Sequence, residues 1–263
     1  MERPDTRRTW SGDFSIAYQV VGSGRADLVY LPQFLSNVEW NWQMARHAAF
    51  MTRLTSFSRL IVMDPRGVGC SDRLPPGEAA ALEDKVDDVL AVMGAAASFR
   101  ATLFGGGGSA FIAMLAAATP DRFDGLVLFS ATPSYVRSDD LPWESSDEEK
   151  LQDLDMFRRS TSMREWATTW SRSFAPSLSD TEIRELGSYG AVTSSVGGGV
   201  AALESLNRVD PAGPPSDDPG AHPGAPQNPR PDPVGRKRSA ARRADPGREA
   251  RRAPRCRQPR VDR

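Results

Sequence analysis

The stretch RLIVM-DPRGVGCSD, residues 59–72, decides the fold class of this chain. Its first five residues form a continuous apolar run, with the composition of a strand that is buried on both faces. The first eight of the nine residues that follow have the pattern D-x-R-G-x-G-x-S, in which glycines allow tight bends between an aspartate, an arginine and a serine. We therefore predict a buried strand closed by a long and specific turn, and the other elements are placed around this pair.

Strand-like and helix-like runs alternate on both sides of this stretch. Strands are predicted at residues 7–10, 15–21, 27–31, 59–63, 101–104 and 126–129, and helices at residues 38–55, 79–93 and 109–118. The first two strands flank Ser11-Gly12-Asp13, which is typical of a hairpin turn. Strands that alternate with helices favour a mostly parallel sheet with right-handed crossovers, so the fold class is α/β.

The pattern changes at about residue 133. Four helices are predicted at residues 145–159, 162–174, 179–188 and 192–206, with no strand between them. A block of helices inserted after a parallel strand is what a lid over the sheet would look like. We therefore divide the chain into an incomplete α/β core at residues 1–133, a helical lid at residues 134–209 and a tail at residues 210–263.

The tail differs from the rest of the chain in composition. The 263 residues have a net charge of −1, but residues 211–263 contain 12 Pro and 13 Lys or Arg, and no Leu, Ile, Met, Phe, Trp or Tyr. We expect this basic Pro/Arg-rich tail to be disordered, because it cannot build a core. Its alternative role is contact by charge alone with nucleic acid or an anionic surface. Sequence-specific nucleic-acid binding is not expected, because no aromatic side chain is interleaved for base stacking.

Composition also bears on cofactors and location. Two Cys and two His exclude a disulfide scaffold and a His-rich metal site, so neither a metal nor another cofactor is expected. No apolar run follows the charged N-terminus as in a secretory signal, which predicts a cytoplasmic protein. Residues 101–120 carry no charge, but four consecutive glycines favour a strand and a buried helix over a membrane span.

Three motifs together resemble the α/β-hydrolase superfamily. They are the turn at residues 64–72, the glycine-rich turn FGGGGSA at residues 104–110 and the loop LPQF at residues 31–34. The runs IAYQVVG at residues 16–22 and PDRF at residues 120–123 are similar to hydrolase domains that stand alone or are fused to bacterial nucleotide cyclases and regulators. The resemblance covers residues 7–135 and, loosely, the lid. It implies hydrolysis of small ester-type substrates.

The resemblance also implies where a catalytic site would lie. The family presents its nucleophile at the centre of G-x-S-x-G, on a sharp turn between a strand and a helix. Here Gly107 stands at that position, and a glycine cannot form a covalent acyl-enzyme. Ser109, two positions further on, is a weak substitute nucleophile because it is expected to point along the helix. Backbone N–H groups of Phe34 and Gly108 would form the oxyanion hole.

The other members of a catalytic triad are also missing from the pattern. In this fold the acid and then the histidine follow the nucleophile along the chain. No strand-like run follows residue 207, and His222, the only later histidine, stands among Pro and Gly. Cys70 is interpreted as a small buried hydrophobe rather than a nucleophile. We therefore expect a C-terminally truncated or frame-disrupted chain that lacks its last strands.

Three functions stay open at this point. The first is a catalytically defective hydrolase-fold protein, a pseudoenzyme that at most binds a small apolar ligand under its lid. The second is an active hydrolase of a small ester-like substrate with an unconventional nucleophile. The third is a remnant regulatory or ligand-binding module of a cyclase or transcription-regulator fusion. Lid aromatics are candidates to line a ligand site or to pack on the core: Trp143, Phe157, Trp166, Trp170 and Phe174.

The position of the last predicted strand bears on the stability of the protein. If the sheet ends at residues 126–129, that apolar strand becomes an edge with unpaired N–H and C=O groups. We therefore expect a marginally stable or aggregation-prone protein.

Overall fold

A computed structural model describes residues 4–31, 35–106, 115–117, 119–132 and 134–207, and the structural statements below concern these residues. They contain one six-stranded sheet with the strand order β1-β2-β4-β3-β5-β6. Its strands are β1 (Arg7–Ser11), β2 (Phe14–Val21), β3 (Ala26–Leu31), β4 (Ser58–Met63), β5 (Ala101–Gly106) and β6 (Phe123–Phe129).

The sheet is antiparallel at one end and parallel over the rest. β1 and β2 form a hairpin around Gly12, whose φ of 57° is the positive value that this turn requires. β2 is also antiparallel to β4, whereas β4, β3, β5 and β6 run parallel. The prediction of a mostly parallel α/β sheet is confirmed. The carboxyl ends of the four parallel strands lie along one edge of the sheet.

Two helices cover opposite faces of the sheet, α1 (Ala45–Thr55) and α2 (Leu82–Ala95). Side chains of β4 alternate between them, so Leu60 and Val62 pack with Met51 of α1, and Ile61 packs with Val89 of α2. Burying a side chain of this size contributes about 1.5–3 kcal/mol. The prediction that residues 59–63 form a strand buried on both faces is confirmed for its apolar residues.

The predicted start of the first helix was wrong. Residues 38–44 contain only a short 3₁₀ turn, Trp40–Trp42, before α1 begins at Ala45. The physical reason is the side chain of Asn37, whose Oδ1 accepts the N–H groups of Glu39 (3.1 Å) and Trp40 (3.0 Å) and holds a separate turn there. The extended backbone at Met44 then separates this turn from the helix.

Four further helices follow the sheet, as predicted: α3 (Asp147–Arg159), α4 (Met163–Phe174), α5 (Asp180–Thr193) and α6 (Val196–Asn207). A serine caps the amino end of α3, α4 and α5, namely Ser146, Ser162 and Ser179. Each serine side chain accepts the N–H of the glutamate three residues later. Helices α3 and α4 form a second core from Phe157, Met163, Trp166 and Ala167, and α6 packs against it through Val196, Val200 and Leu203.

β6 lies at the free edge of the sheet and is poorly covered. Among the described residues it pairs only with β5. The side chains from Leu126 to Phe129 are 41–68% exposed, although all four are apolar. The expectation that this strand becomes an exposed apolar edge is confirmed.

Some predictions fall on residues that are not described. Residues 115–117 are helical, but most of the helix predicted at residues 109–118 and the tail at residues 210–263 lie outside the described residues. Within the described part of the chain, no helix combines the length and the apolar character needed to cross a bilayer. The boundaries at residues 133 and 209 and the cytoplasmic location stay predictions.

Candidate functional site

Asp64, directly after β4, organises the carboxyl edge of the sheet. Its carboxylate accepts hydrogen bonds from the backbone N–H groups of Val38 (3.0 and 3.1 Å) and Cys70 (2.7 Å), and from the hydroxyl of Ser36. The side chain is fully buried. Burial raises the pKa of Asp64 to about 6, and it outweighs the hydrogen bonds and the nearby charge of Arg73, which lower it.

Gly69 has to be a glycine because of this carboxylate. Its φ is +56°, and a Cβ atom there would lie 2.2 Å from Oδ2 of Asp64. Its N–H donates to the carbonyl of Thr193 at the end of α5 (2.7 Å), which connects the turn to the lid. Gly69, the second glycine of the motif, therefore leaves room for the Asp64 carboxylate and also forms the contact with the lid.

Ser71 and Cys70 are also held in structural roles. The hydroxyl of Ser71 accepts the N–H of Ala17 (2.8 Å) and donates to the carbonyl of Asp64 (2.5 Å), which joins the turn to β2. The side chain of Cys70 is buried in the apolar cluster under α1, with its thiol 3.6 Å from Oδ1 of Asn37. The interpretation of Cys70 as a small buried hydrophobe is confirmed.

Arg66 connects the same turn to α2. It forms ion pairs with Asp88 (2.6 Å) and Asp84 (2.9 Å), and its guanidinium lies 4.8 Å above the ring of Phe14. The hydrogen bond to Asp88 raises the pKa of Arg66. Asp64, Arg66 and Ser71, the three polar residues of the D-x-R-G-x-G-x-S motif, thus fasten the turn to the sheet, to α2 and to the loop before α1.

A cavity of about 410 Å³ lies beside this turn, on the α2 side of the sheet. Leu31 and Met63, at the carboxyl ends of β3 and β4, and Val89 of α2 form its apolar floor. The loop at residues 73–80, Tyr135 and one side of α6 from Gly197 to Leu206 contribute to the wall. The volume falls in the range of small-molecule sites, which are usually apolar with a few polar groups.

Two basic side chains in the cavity wall, Arg73 and Lys85, form no ion pair with a described acidic residue. The guanidinium of Arg73 donates to the carbonyls of Gly67 (3.0 Å) and Thr193 (2.6 Å) only. The amino group of Lys85 forms no hydrogen bond or ion pair with a described residue. Burial lowers the pKa of Lys85. Neither residue was predicted from the sequence motifs, although one signal was available: Lys85 interrupts the apolar face of α2 between Leu82 and Val89.

Within the described residues, His47 does not meet a nucleophile. It lies on α1 beside the rings of Tyr30 and Phe50, with ring centroids 6.1 and 6.2 Å away, and burial lowers its pKa. Its Nε2 atom is buried without a hydrogen-bond partner in the described structure. Among the described residues, therefore, no serine, threonine or cysteine is hydrogen-bonded to this imidazole.

The residues that the family resemblance assigned to catalysis are not placed by the structure. Gly107, Gly108, Ser109, Phe34 and the late histidine His222 lie outside the described residues. The preceding strand β5 does end at Gly106, as the strand–turn–helix pattern requires.

The lid aromatics do not line the cavity. Phe157 and Trp166 stack on each other inside the core of the lid, with ring centroids 4.1 Å apart. Trp143 and Phe174 are exposed. Of the two roles left open for the lid aromatics, packing on a core therefore holds for Phe157 and Trp166. In the described residues, no group of three or more His, Cys, Asp or Glu side chains could hold a metal ion.

Comparisons with known proteins identify the fold. No model of a protein family matches the sequence, and no curated protein matches it either. Among solved structures, the chain is similar to a hydrolase from Pseudomonas aeruginosa PA01, with 20% identity and a TM-score of 0.60 over 78% of this chain and 73% of the other.

Two further structures agree with the first. A bromoperoxidase from Bacillus anthracis has 17% identity and a TM-score of 0.63 over 78% of this chain and 75% of its own. An esterase from Rhodococcus sp. ECU1013 has 24% identity and a TM-score of 0.58 over 76% and 72% of the two chains. The chain therefore has the α/β-hydrolase fold, as the sequence motifs indicated.

Proposed function

We propose that this hydrolase-fold protein binds a small molecule in the cavity beside the Asp64 turn and does not hydrolyse esters. The observation that carries the proposal is Gly107, because the position that would attack the substrate has no side chain. Without a hydroxyl or thiol there, the covalent intermediate of ester hydrolysis has no attachment point.

The surroundings of the described reactive groups support the same conclusion. A general base must reach the proton that it removes, within hydrogen-bond distance or through one water. The ring of His47 lies in an aromatic cluster and has no such partner among the described residues, and the carboxylate of Asp64 is occupied by its backbone and serine donors. Ser71 and Cys70 are buried in the turn itself.

Ester turnover tests the proposal directly. The full chain should hydrolyse 4-nitrophenyl acetate no faster than buffer does, and Gly107→Ser should not raise the rate, because a serine there would still need a base and an acid. Turnover by the wild-type chain that disappears in Ser109→Ala, but persists in the control Ser173→Ala on the exposed side of α4, would show an active hydrolase with an unconventional nucleophile.

A further inference from the structure

Two of the positive charges in the cavity wall form no ion pair with a described residue, although Arg73 lies close enough to Asp64 to lower its pKa. Three basic residues contribute to the wall, namely Arg66, Arg73 and Lys85. Arg66 is neutralised by its two aspartates, but neither Arg73 nor Lys85 forms an ion pair. Glu78 is the one acidic residue of the wall among the described residues; it is exposed and pairs with neither.

Lys85 is directed into the cavity by the helix that carries it. Positions 82, 85 and 89 lie on one face of α2, because three- and four-residue steps return to the same side of a helix. All three residues line the cavity. The neighbouring carboxylates of Asp84 and Asp88 are engaged by Arg66, so they do not compensate the ammonium.

A half-buried ammonium without a partner loses hydration and gains nothing in return. The lowered pKa of Lys85 expresses this cost. An anionic group bound in the cavity would supply the missing partner, through a charge-assisted hydrogen bond of the stronger kind.

Two further features of the cavity wall favour a negatively charged ligand. Arg73 lines the same cavity, and the donors of its guanidinium beyond Nη1 are not used by any described residue. The first turn of α6 lies in the wall at Gly197–Gly199, and the amino end of a helix carries a partial positive charge. The floor, in contrast, is apolar at Leu31, Met63 and Val89.

We infer that the cavity binds a small apolar carboxylate, with its hydrocarbon part on Leu31, Met63 and Val89 and its carboxylate between Lys85 and Arg73. This inference rests on the proposed function and specifies its ligand class. The ligand inferred here is an amphipathic anion, whereas the sequence suggested a purely apolar molecule.

The test compares two probes with the same carbon skeleton. Isothermal titration of the full chain at pH 7 with 4-phenylbutanoate and with 4-phenylbutanol should show tighter binding of the anion by about tenfold or more, the effect of one charge-assisted hydrogen bond. Lys85→Met should reduce this preference to about threefold or less, whereas Lys85→Arg should keep most of it. Lys150→Met is the matched control, because Lys150 pairs with Asp147 outside the cavity.

Labelling locates the bound probe. The chain has three lysines, at positions 85, 150 and 237, so reductive methylation can be followed residue by residue with mass spectrometry. 4-Phenylbutanoate should protect Lys85 and leave Lys150 unprotected, and 4-phenylbutanol should protect neither. Arg73→Gln, at an exposed side chain, gives a second variant if Lys85→Met does not fold, and it should also weaken binding of the anion.

The outcomes separate the two proposals. Equal binding of both probes, or an unchanged preference for the anion in Lys85→Met, would overturn the carboxylate inference and leave a ligand-binding cavity. Binding of neither probe would overturn both the inference and the proposed ligand binding. Ester turnover concerns only the proposed absence of hydrolysis.

Discussion

β4 and β6 are both continuous apolar strands of one parallel sheet, yet they end up in opposite environments. β4 lies between β2 and β3 with a helix on each face, and its residues from Leu60 to Met63 are at most 1% exposed. β6 has one neighbouring strand in the described part of the chain, and its residues from Leu126 to Phe129 are at least 41% exposed. Their sequences, RLIVM and LVLF, do not show this difference.

The comparison shows that an apolar run indicates a strand that burial would stabilise. The run does not indicate whether neighbouring elements cover that strand. The opposite edge of the sheet illustrates a protected edge, because β1 carries Arg7 and Arg8, and charged residues discourage pairing with another chain. β6 has only Asp124 in this role, near its start and paired with Arg100. We therefore expect the stability of the molecule to reside around β4 and its tendency to associate to reside at β6.

The largest difference is expected between Asp64, directly after β4, and Asp124 in β6. Asp64→Ala would leave the buried N–H groups of Val38 and Cys70 without an acceptor, which should lower the free energy of unfolding by about 3–5 kcal/mol. Asp124→Ala removes one exposed ion pair and should cost less than about 1 kcal/mol. Urea denaturation of both variants gives the comparison. Similar losses would show that the Asp64 network does not hold the fold together.

Apolar truncation should repeat the contrast on a smaller scale. Ile61→Ala in β4 creates a cavity in the core and should cost about 2–5 kcal/mol. Leu126→Ala in β6 removes a side chain that already contacts water, so its cost should stay below about 1 kcal/mol. If both variants lost the same free energy of unfolding in urea, β6 would have to be covered in solution.

A charge on β6 should change association more than stability. Leu128→Lys places an ammonium at the exposed edge, which should reduce concentration-dependent light scattering while the melting temperature changes little. The control is Leu151→Lys on α3, since Leu151 is exposed but belongs to no strand. Equal scattering from the wild-type chain and Leu128→Lys would remove β6 as the site of association.

The smallest expected effect is the pH dependence that Asp64, after β4, gives to the free energy of unfolding. The pKa of Asp64 in the folded chain is about 6, above its ordinary value of 3.8, so the folded state binds the proton more tightly than the unfolded state. The stability from this group is therefore fully present below pH 3.8 and is lost as the pH rises through 6.

Asp64→Asn isolates this contribution, because it lacks the titrating group. Between pH 7.5 and pH 5 the free energy of unfolding of the wild-type chain should rise by about 1 kcal/mol relative to that of the variant. Urea denaturation at the two pH values measures the difference. A constant or falling difference would mean that the pKa of Asp64 is not raised in the folded chain.

Much of the fold could be predicted from sequence because its signals are local. The hairpin at Gly12, the serine caps of α3 to α5 and the apolar run of β4 each involve residues a few positions apart, and those interactions form in any context that allows the element. The glycine at position 107 and the apolar character of β6 were visible in the same way.

The site required the tertiary structure, because its contacts join residues that are distant in sequence. Asp64 meets the N–H of Val38 from 26 positions away, and Ser71 meets that of Ala17 from 54. Lys85 is a candidate ligand-binding residue only because β3, β4, α2 and α6 enclose the cavity that it lines. Periodicity and capping report which face of an element is apolar, whereas the arrangement of the elements decides what that face meets and which charges stay without a partner.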